Sequence, residues 1–172
     1  MSYKHSVCRW CYEHIPLDEF CVQVKALGYE SVELTGPAEW PILAKHGMSC
    51  AIATFPVGAD RIGTIEKAFN RIEHHDELER IYRDMIPQVA AAGIKNLILF
   101  SGNREGMDDQ TGLQNCATGL RRILPFAAEH GITLVMELLN SKVDHPDYMC
   151  DHTEWGAALV DELGRSEERR VG

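Results

Sequence analysis

One unit recurs along this chain: an amphipathic segment ends at a glycine, and a short apolar run follows it. The glycines and the runs are Gly28 with Ser31–Leu34, Gly47 with Ser49–Ala53, Gly93 with Asn96–Phe100, and Gly131 with Thr133–Glu137. Glycine adopts positive φ just past a helix end at little steric cost. Apolar runs without alternation are typical of strands buried on both faces. The pattern predicts strands separated by helices, with a first strand near Ser6 to Arg9.

Apolar positions three and four residues apart predict the helices. Two stripes are Leu78, Ile81, Tyr82, Met85, Ile86 and Val89, and then Leu113, Cys116, Ala117, Leu120, Ile123, Leu124 and Ala127. We expect the first helix to start at Pro16, Asp76 to cap the helix of the first stripe, and a last helix at about Thr153 to Leu163. Pro87 and Pro125 fall inside helices and should bend them.

Regular alternation of strand and helix predicts an α/β fold with parallel strands and right-handed crossovers. Two architectures fit this order. One is an open sheet of five strands. The other is a partial (β/α)8 TIM barrel containing about five of its eight β/α units.

Composition restricts the class of protein. With 172 residues, 45% of them apolar and 25% charged, the chain fits one globular domain. No apolar run approaches the roughly 18 residues of a membrane helix, so we expect no membrane partner. The net charge of -9 argues against a nucleic-acid partner. The first residues do not resemble a secretory signal, and we expect a cytoplasmic protein.

The six cysteines support the same compartment. We interpret them as reduced and mostly buried thiols: Cys8, Cys11, Cys21, Cys50, Cys116 and Cys150. Cys8 and Cys11 form a single CxxC, and a zinc site requires a second pair at suitable spacing.

The end of the chain differs from the rest. Residues 165–172 are polar and resemble the translation of a sequencing-adapter oligonucleotide. We therefore expect residues 1–164 to be the N-terminal part of the domain and 165–172 to be a non-native tail. This interpretation favours the partial barrel over the open sheet.

Ligands of parallel α/β folds bind at the carboxyl ends of the strands. Glu137 ends an otherwise apolar run, and burying a carboxylate there requires a compensating cation or proton. It is a candidate metal ligand or catalytic residue, or else a buried Glu satisfied by an Arg or by backbone N–H groups. Glu33 ends the second strand in the same way. Two carboxylates facing one cavity suit a hard cation or acid-base chemistry.

The loops after the last two strands also carry candidate residues. Asn140 and His145 lie in a long polar loop and are able to hydrogen-bond polyol hydroxyls. Arg104, in the loop after the preceding strand, is a weaker candidate for binding an anion. The adjacent His74 and His75 point in different directions and are poorly placed to share one metal.

These segments together resemble the hydroxypyruvate isomerase-like branch of the sugar phosphate isomerase/epimerase family, which has the xylose isomerase-like TIM barrel. The resemblance covers about residues 5 to 163. It rests on residues 6–12, 31–34 and 96–109, and above all on Val135 to His152.

The resemblance implies a metal-dependent isomerase, with Mg or Mn as the cation and a small sugar-like substrate of the hydroxypyruvate or tartronate semialdehyde type. Two glutamates move a proton between adjacent carbons through an enediol, while the metal acts as a Lewis acid. Glu137 matches the fifth-strand glutamate, which is both metal ligand and proton-transfer residue. Asn140 and His145 match positions in the loop near the substrate.

The family's remaining ligands and second catalytic glutamate lie on strands six to eight, which this sequence does not contain. We therefore expect the full-length parent to be an isomerase, and these 172 residues to be inactive and to expose apolar strand edges. Whether the parent is a homo-oligomer is left open.

Three other functions fit parts of the pattern. One is an endonuclease-like barrel with zinc and a DNA substrate, which the acidic balance disfavours. Another is a flavodoxin-like binding module with a complete sheet of five strands. The last is a sugar-binding barrel that has lost catalysis.

Overall fold

A computed structural model of the chain describes residues 3–164, so the expected non-native tail lies outside the described residues. The strands are β1 (Ser6–Cys8), β2 (Ser31–Glu33), β3 (Asn96–Leu99) and β4 (Thr133–Met136). The helices are α1 (Leu17–Ala26), α2 (Trp40–Lys45), α3 (His75–Ala91), α4 (Asp109–Glu129) and α5 (Thr153–Leu163). Short 3₁₀ turns cover Trp10–Tyr12, Ala59–Arg61 and Ile72–His74.

The strands are parallel and follow each other in chain order. β1 pairs with β2, and β3 pairs with β4. The segment between them connects the two pairs, because Ala53 forms parallel bridges with both Thr35 and Leu97. A doubly wound open sheet reverses its strand order, whereas a barrel adds each strand beside the previous one. The described residues therefore form part of a (β/α)8 barrel, about five of its eight units, and the flavodoxin-like alternative is wrong.

The predicted third strand, Ser49–Ala53, is a correction. This segment forms isolated bridges rather than a regular strand. Side chains replace part of the ladder: Asn96 Nδ2 donates to the Ala51 carbonyl at 2.9 Å, and Ser31 Oγ accepts from the Ala51 N–H at 2.8 Å. The segment keeps its place in the sheet but loses the regular backbone pattern of a strand.

The predicted helices are confirmed, together with their apolar stripes. The stripe residues of α3 and α4 form one core with β3 and the apolar face of α1. Pro87 and Pro125 lie inside α3 and α4. Gly93 and Gly131 have φ values of 74° and 66°, which a side chain would make strained, and so they end these helices as predicted.

The start of α3 is another correction. Asp76 is not the N-cap, because the 3₁₀ turn Ile72–His74 leads directly into the helix and His74 already has helical backbone angles. An N-cap residue needs an extended backbone. Asp76 lies instead in the first turn, where its carboxylate pairs with Arg122 at 2.7 Å.

All six cysteines are free thiols, and Cys21, Cys50, Cys116 and Cys150 are buried, as expected. Cys11 is exposed. Within residues 3–164, no helix is long and apolar enough to cross a membrane.

One face of the described structure remains apolar and open. A cavity of about 800 Å³ runs along β4 and the inner side of α5. Its lining includes Val135, Leu138, Ala157, Leu159 and Val160. Within residues 3–164, β4 pairs with β3 alone, so this groove lies along a free strand edge, as expected.

Candidate active site

Glu137 lies directly beyond β4, at the carboxyl ends of the strands. Its N–H donates to the Leu99 carbonyl at 3.1 Å and extends the β3–β4 ladder by one residue. The side chain is half-buried, and no hydrogen bond or ion pair within residues 3–164 involves its carboxylate. Burial raises the pKa of Glu137, and the charge of His145 opposes this rise. A half-buried carboxylate without a partner is suited to bind a cation or to exchange a proton.

Glu33 is the last residue of β2 and, like Glu137, lies at the carboxyl end of the sheet. Ser6 Oγ donates a hydrogen bond to its carboxylate at 2.5 Å. Burial, followed by the charges of Cys11, Glu33 and Glu137, raises the pKa of the Cys8 thiol to about 11. At neutral pH this thiol stays protonated, which disfavours a thiolate role for the CxxC motif.

Asn140 shapes the loop after β4. Its side-chain Oδ1 accepts the N–H of Lys142 at 2.9 Å, and its backbone carbonyl accepts the N–H of His145 at 2.9 Å. The side chain is exposed and borders a polar cavity of about 400 Å³ together with Lys142 and Asp151. Glu137 is not part of the lining of that cavity.

His145 is half-buried and lies near two carboxylates. Its charge acts on Glu137 and also on Glu66, a residue of the long segment before α3. The hydroxyl of Thr64 donates to Glu66 at 2.8 Å and is the main cause of the lowered pKa of Glu66, with smaller contributions from Arg61 and His145. Glu66 therefore carries a stable negative charge near His145.

Sequence reasoning missed Glu66, because the segment that carries it has no helical or strand periodicity. The structure locates it through three loops. The Glu66 carbonyl accepts the N–H of Asn103 at 3.0 Å, and Asn103 forms an antiparallel bridge with Tyr148. The Tyr148 N–H donates to the His145 carbonyl at 3.0 Å. The available signal was an acidic residue in a long loop at the carboxyl ends of the strands.

Arg104 does not offer a free guanidinium to an anion. It pairs with Asp109 and with Asp151, each at 3.0 Å. It also donates to the Met149 carbonyl at 3.2 Å and to the Tyr148 carbonyl. The guanidinium of Arg104 therefore joins the loop after β3 to the loop before α5. This structural role corrects the expectation that Arg104 binds an anion.

The adjacent histidines at the start of α3 differ in burial, since His74 is half-buried in the preceding 3₁₀ turn and His75 is buried. His75 is buried with its Nε2 2.9 Å from the Phe69 carbonyl, and burial lowers the pKa of His75. This ring packs inside the domain rather than at the strand ends.

The donor set for a metal is incomplete in the part of the chain that the structure describes. Within residues 3–164, no group of three His, Cys, Asp or Glu side chains is arranged to hold a metal ion. Glu137 has a half-buried carboxylate that no hydrogen bond or ion pair within residues 3–164 occupies, as a metal ligand requires. A divalent cation needs several oxygen ligands, and Glu137 would supply one of them.

Comparisons with known proteins agree with this architecture. Residues 21–171 match the family described as xylose isomerase-like TIM barrel. No curated protein matches the sequence.

Solved structures resemble the fold over nearly the whole chain. A family 2 AP endonuclease from Brucella melitensis is 21% identical with a TM-score of 0.72, covering 95% of this chain and 66% of the other. D-psicose 3-epimerase with D-tagatose, from Clostridium cellulolyticum H10, is 12% identical with a TM-score of 0.71, covering 94% and 60%. An IOLI protein with a bound zinc atom is 11% identical with a TM-score of 0.68, covering 95% and 60%.

The chain spans between 60% and 66% of the length of these three structures. At such low identities, the likeness shows the fold and leaves the chemistry to be argued from the residues.

Proposed function

This chain belongs to the xylose isomerase-like TIM barrel family, and on that premise we propose that the whole protein is a sugar isomerase or epimerase acting on a small hydroxy-carbonyl compound. The proposed reaction moves a proton between adjacent carbons through an enediol, with hydroxypyruvate or tartronate semialdehyde as the substrate class. The position and environment of Glu137 are the observation on which this proposal rests.

Glu137 is the proposed proton-transfer residue. It lies where (β/α)8 enzymes place their chemistry, and burial raises the pKa of its carboxyl group. A carboxylate whose pKa moves toward neutrality becomes a better base, and the resulting acid can return the proton to the neighbouring carbon. Because no hydrogen bond or ion pair within residues 3–164 occupies this carboxylate, it is available to a substrate.

His145 and Asn140 are the proposed substrate-binding residues. His145, half-buried near Glu66 and Glu137, would hydrogen-bond a substrate hydroxyl or carbonyl oxygen. Glu66, whose lowered pKa keeps it negatively charged, lies near this side chain. Asn140 contributes by holding the turn that precedes His145.

A divalent cation, Mg or Mn, is part of the proposal. When bound, it would stabilise negative charge on the substrate oxygen during proton transfer. Glu137 is the residue of this chain that would hold it, and further ligands would come from elsewhere in the whole protein. Since one carboxylate does not make a cation site, we expect the 172-residue chain alone to show no turnover.

The test compares the whole protein with its Glu137→Gln variant, which keeps the size of the side chain and removes its acid-base chemistry. We expect kcat for hydroxypyruvate isomerisation to fall by about 100- to 10,000-fold. Glu129→Gln, at the exposed end of α4, is the matched control and should retain activity. A protein that binds sugars without turnover, before and after the substitution, would instead be a non-catalytic binding barrel.

An endonuclease is the competing enzyme class, since one similar structure is a family 2 AP endonuclease. The net charge of -9 disfavours contact with DNA phosphates. Cleavage of DNA at abasic sites by the whole protein, in the absence of isomerase activity, would replace the proposal.

A further inference from the structure

The ends of β3 and β4 are bridged by a side chain rather than by backbone. The last direct ladder bond runs from the Glu137 N–H to the Leu99 carbonyl. Beyond it, the Tyr148 hydroxyl accepts the N–H of Ser101 at 3.0 Å and donates to the Glu137 carbonyl at 2.9 Å. The tyrosine thus continues the ladder where the two strands separate.

The environment of Tyr148 fixes this arrangement. The residue is 0% exposed, and the Phe100 ring meets its ring edge-on at a centroid distance of 6.5 Å. Burial raises the pKa of Tyr148 far above its usual value, so the hydroxyl remains protonated and keeps its one donor. The Met136 sulfur, at 3.9 Å, is a weaker acceptor for that proton than the carbonyl of Glu137.

The backbone around Tyr148 is held independently of its hydroxyl. The next residue, Met149, donates its N–H to the Gly102 carbonyl at 3.0 Å, and Cys150 donates to Ser101 Oγ at 2.9 Å. Arg104 binds the carbonyls of Tyr148 and Met149. Removing only the hydroxyl should therefore leave this loop in place and free the backbone of Glu137.

We propose that Tyr148 is a positioning residue for the active site: its hydroxyl fixes the backbone of Glu137, and with it the direction of the carboxylate, while its N–H holds His145 beside that carboxylate. This inference rests on the proposed function of Glu137. It gives a reason for a fully buried tyrosine hydroxyl at the end of the β3–β4 ladder, next to the backbone of a candidate catalytic residue.

Tyr148→Phe tests the inference, and the chain offers a closely matched control. Tyr82 is also 0% exposed, and its hydroxyl donates to the Ile98 carbonyl in β3 at 3.0 Å. Tyr82→Phe removes an equally buried hydroxyl from a strand carbonyl without touching Glu137. Tyr148→Phe should lose more stability than Tyr82→Phe, because its hydroxyl makes two hydrogen bonds and that of Tyr82 makes one. The positioning of Glu137 is therefore read from its conformation and not from stability.

The first readout is the side-chain conformation of Glu137 in this chain. Three-bond N–Cγ and C′–Cγ couplings report the χ1 angle of Glu137. We expect a single rotamer in the unmodified chain and in Tyr82→Phe, and averaged couplings in Tyr148→Phe. Equal couplings in both variants would overturn the inference.

If Tyr148→Phe fails to fold, 3-fluorotyrosine at position 148 takes its place. Its hydroxyl is more acidic than that of tyrosine, so its hydrogen bonds should shift the Glu137 and Ser101 resonances. Unchanged resonances would overturn the inference.

The second readout is the kinetics of the whole protein. We expect Tyr148→Phe to lower kcat by about tenfold with little change in KM, since a misdirected base slows the chemical step more than binding. Tyr82→Phe should keep both constants. A whole protein that shows the coupling change but no isomerase activity would refute the proposed function and leave the positioning of Glu137 intact; activity without any effect of Tyr148→Phe would refute the positioning alone.

Discussion

Arg104 and Asp151 form an ion pair of 3.0 Å between the loop after β3 and the loop before α5, and the Asp151 side chain is only 5% exposed. The contact joins residues far apart in the sequence and holds the loop that carries Tyr148 and His145 against the strand ends. Its low exposure makes it more important for stability than the surface ion pairs of this chain.

Arg104→Met should destabilise the chain by about 2 kcal/mol, because it takes the ion-pair partner from a nearly buried carboxylate and one donor from each of two loop carbonyls. The measurement is urea unfolding followed by circular dichroism. Arg121→Met is the control, since Arg121 and Glu162 are about half exposed and their pair should contribute at most about 1 kcal/mol. An equal loss of unfolding free energy in the two variants would show that the Arg104–Asp151 contact contributes no more than a surface ion pair.

The same pair predicts an acid-sensitive step in stability. Burial opposes ionisation of Asp151, but hydrogen bonds from Ser141, Arg104 and His152 lower the pKa of Asp151 to about 2. A carboxyl with a depressed pKa in the folded state contributes stability above its unfolded pKa, near 3.8, and loses it as the pH falls through 2. The free energy of unfolding should fall across this window, and Asp151→Asn should flatten the slope. An unchanged slope in the variant would contradict the role of this carboxyl.

Gly102→Ala should be strongly destabilising. Gly102 has a φ of 103°, and a Cβ there would clash with Asn70 Oδ1 and lie 3.2 Å from the Ala68 nitrogen. Asn70 is 0% exposed, so its side chain has little room to move. Gly106→Ala is the matched control in the same loop, because its φ of 81° is strained while nothing lies within 4 Å. We expect a loss of about 1 kcal/mol for the control and clearly more for Gly102→Ala in thermal unfolding.

The apolar groove beside β4 should make the chain self-associate. We expect concentration-dependent oligomers in analytical ultracentrifugation, because a free strand edge lies beside an apolar cavity. Ala157→Lys puts a charge into that groove and should shift the population toward monomer. Ala158→Lys, the neighbouring exposed position outside the cavity lining, should have a smaller effect. The same association in both variants would place the contact elsewhere.

Some elements could be predicted from the sequence and others could not. The stripe from Leu78 to Val89, the glycine at 93 and the strand that follows it were predicted because each is a local pattern with its own period. Glu137 was found for the same reason, as a charge ending an apolar run. Ser49–Ala53 was wrong as a regular strand, since the side chains of Ser31 and Asn96 replace the backbone bonds of Ala51, and periodicity does not reveal such contacts.

The sequence by itself determined the order of helices and strands and the carboxylate at the end of β4, because hydrophobic periodicity and helix-ending glycines act over a few residues. Only the tertiary structure decided that Tyr148 bridges Ser101 and Glu137, and that Glu66 lies near His145. These contacts join aperiodic loops that are distant in the chain. The directed hydrogen bonds that form them exist only after the strands have brought their carboxyl ends together.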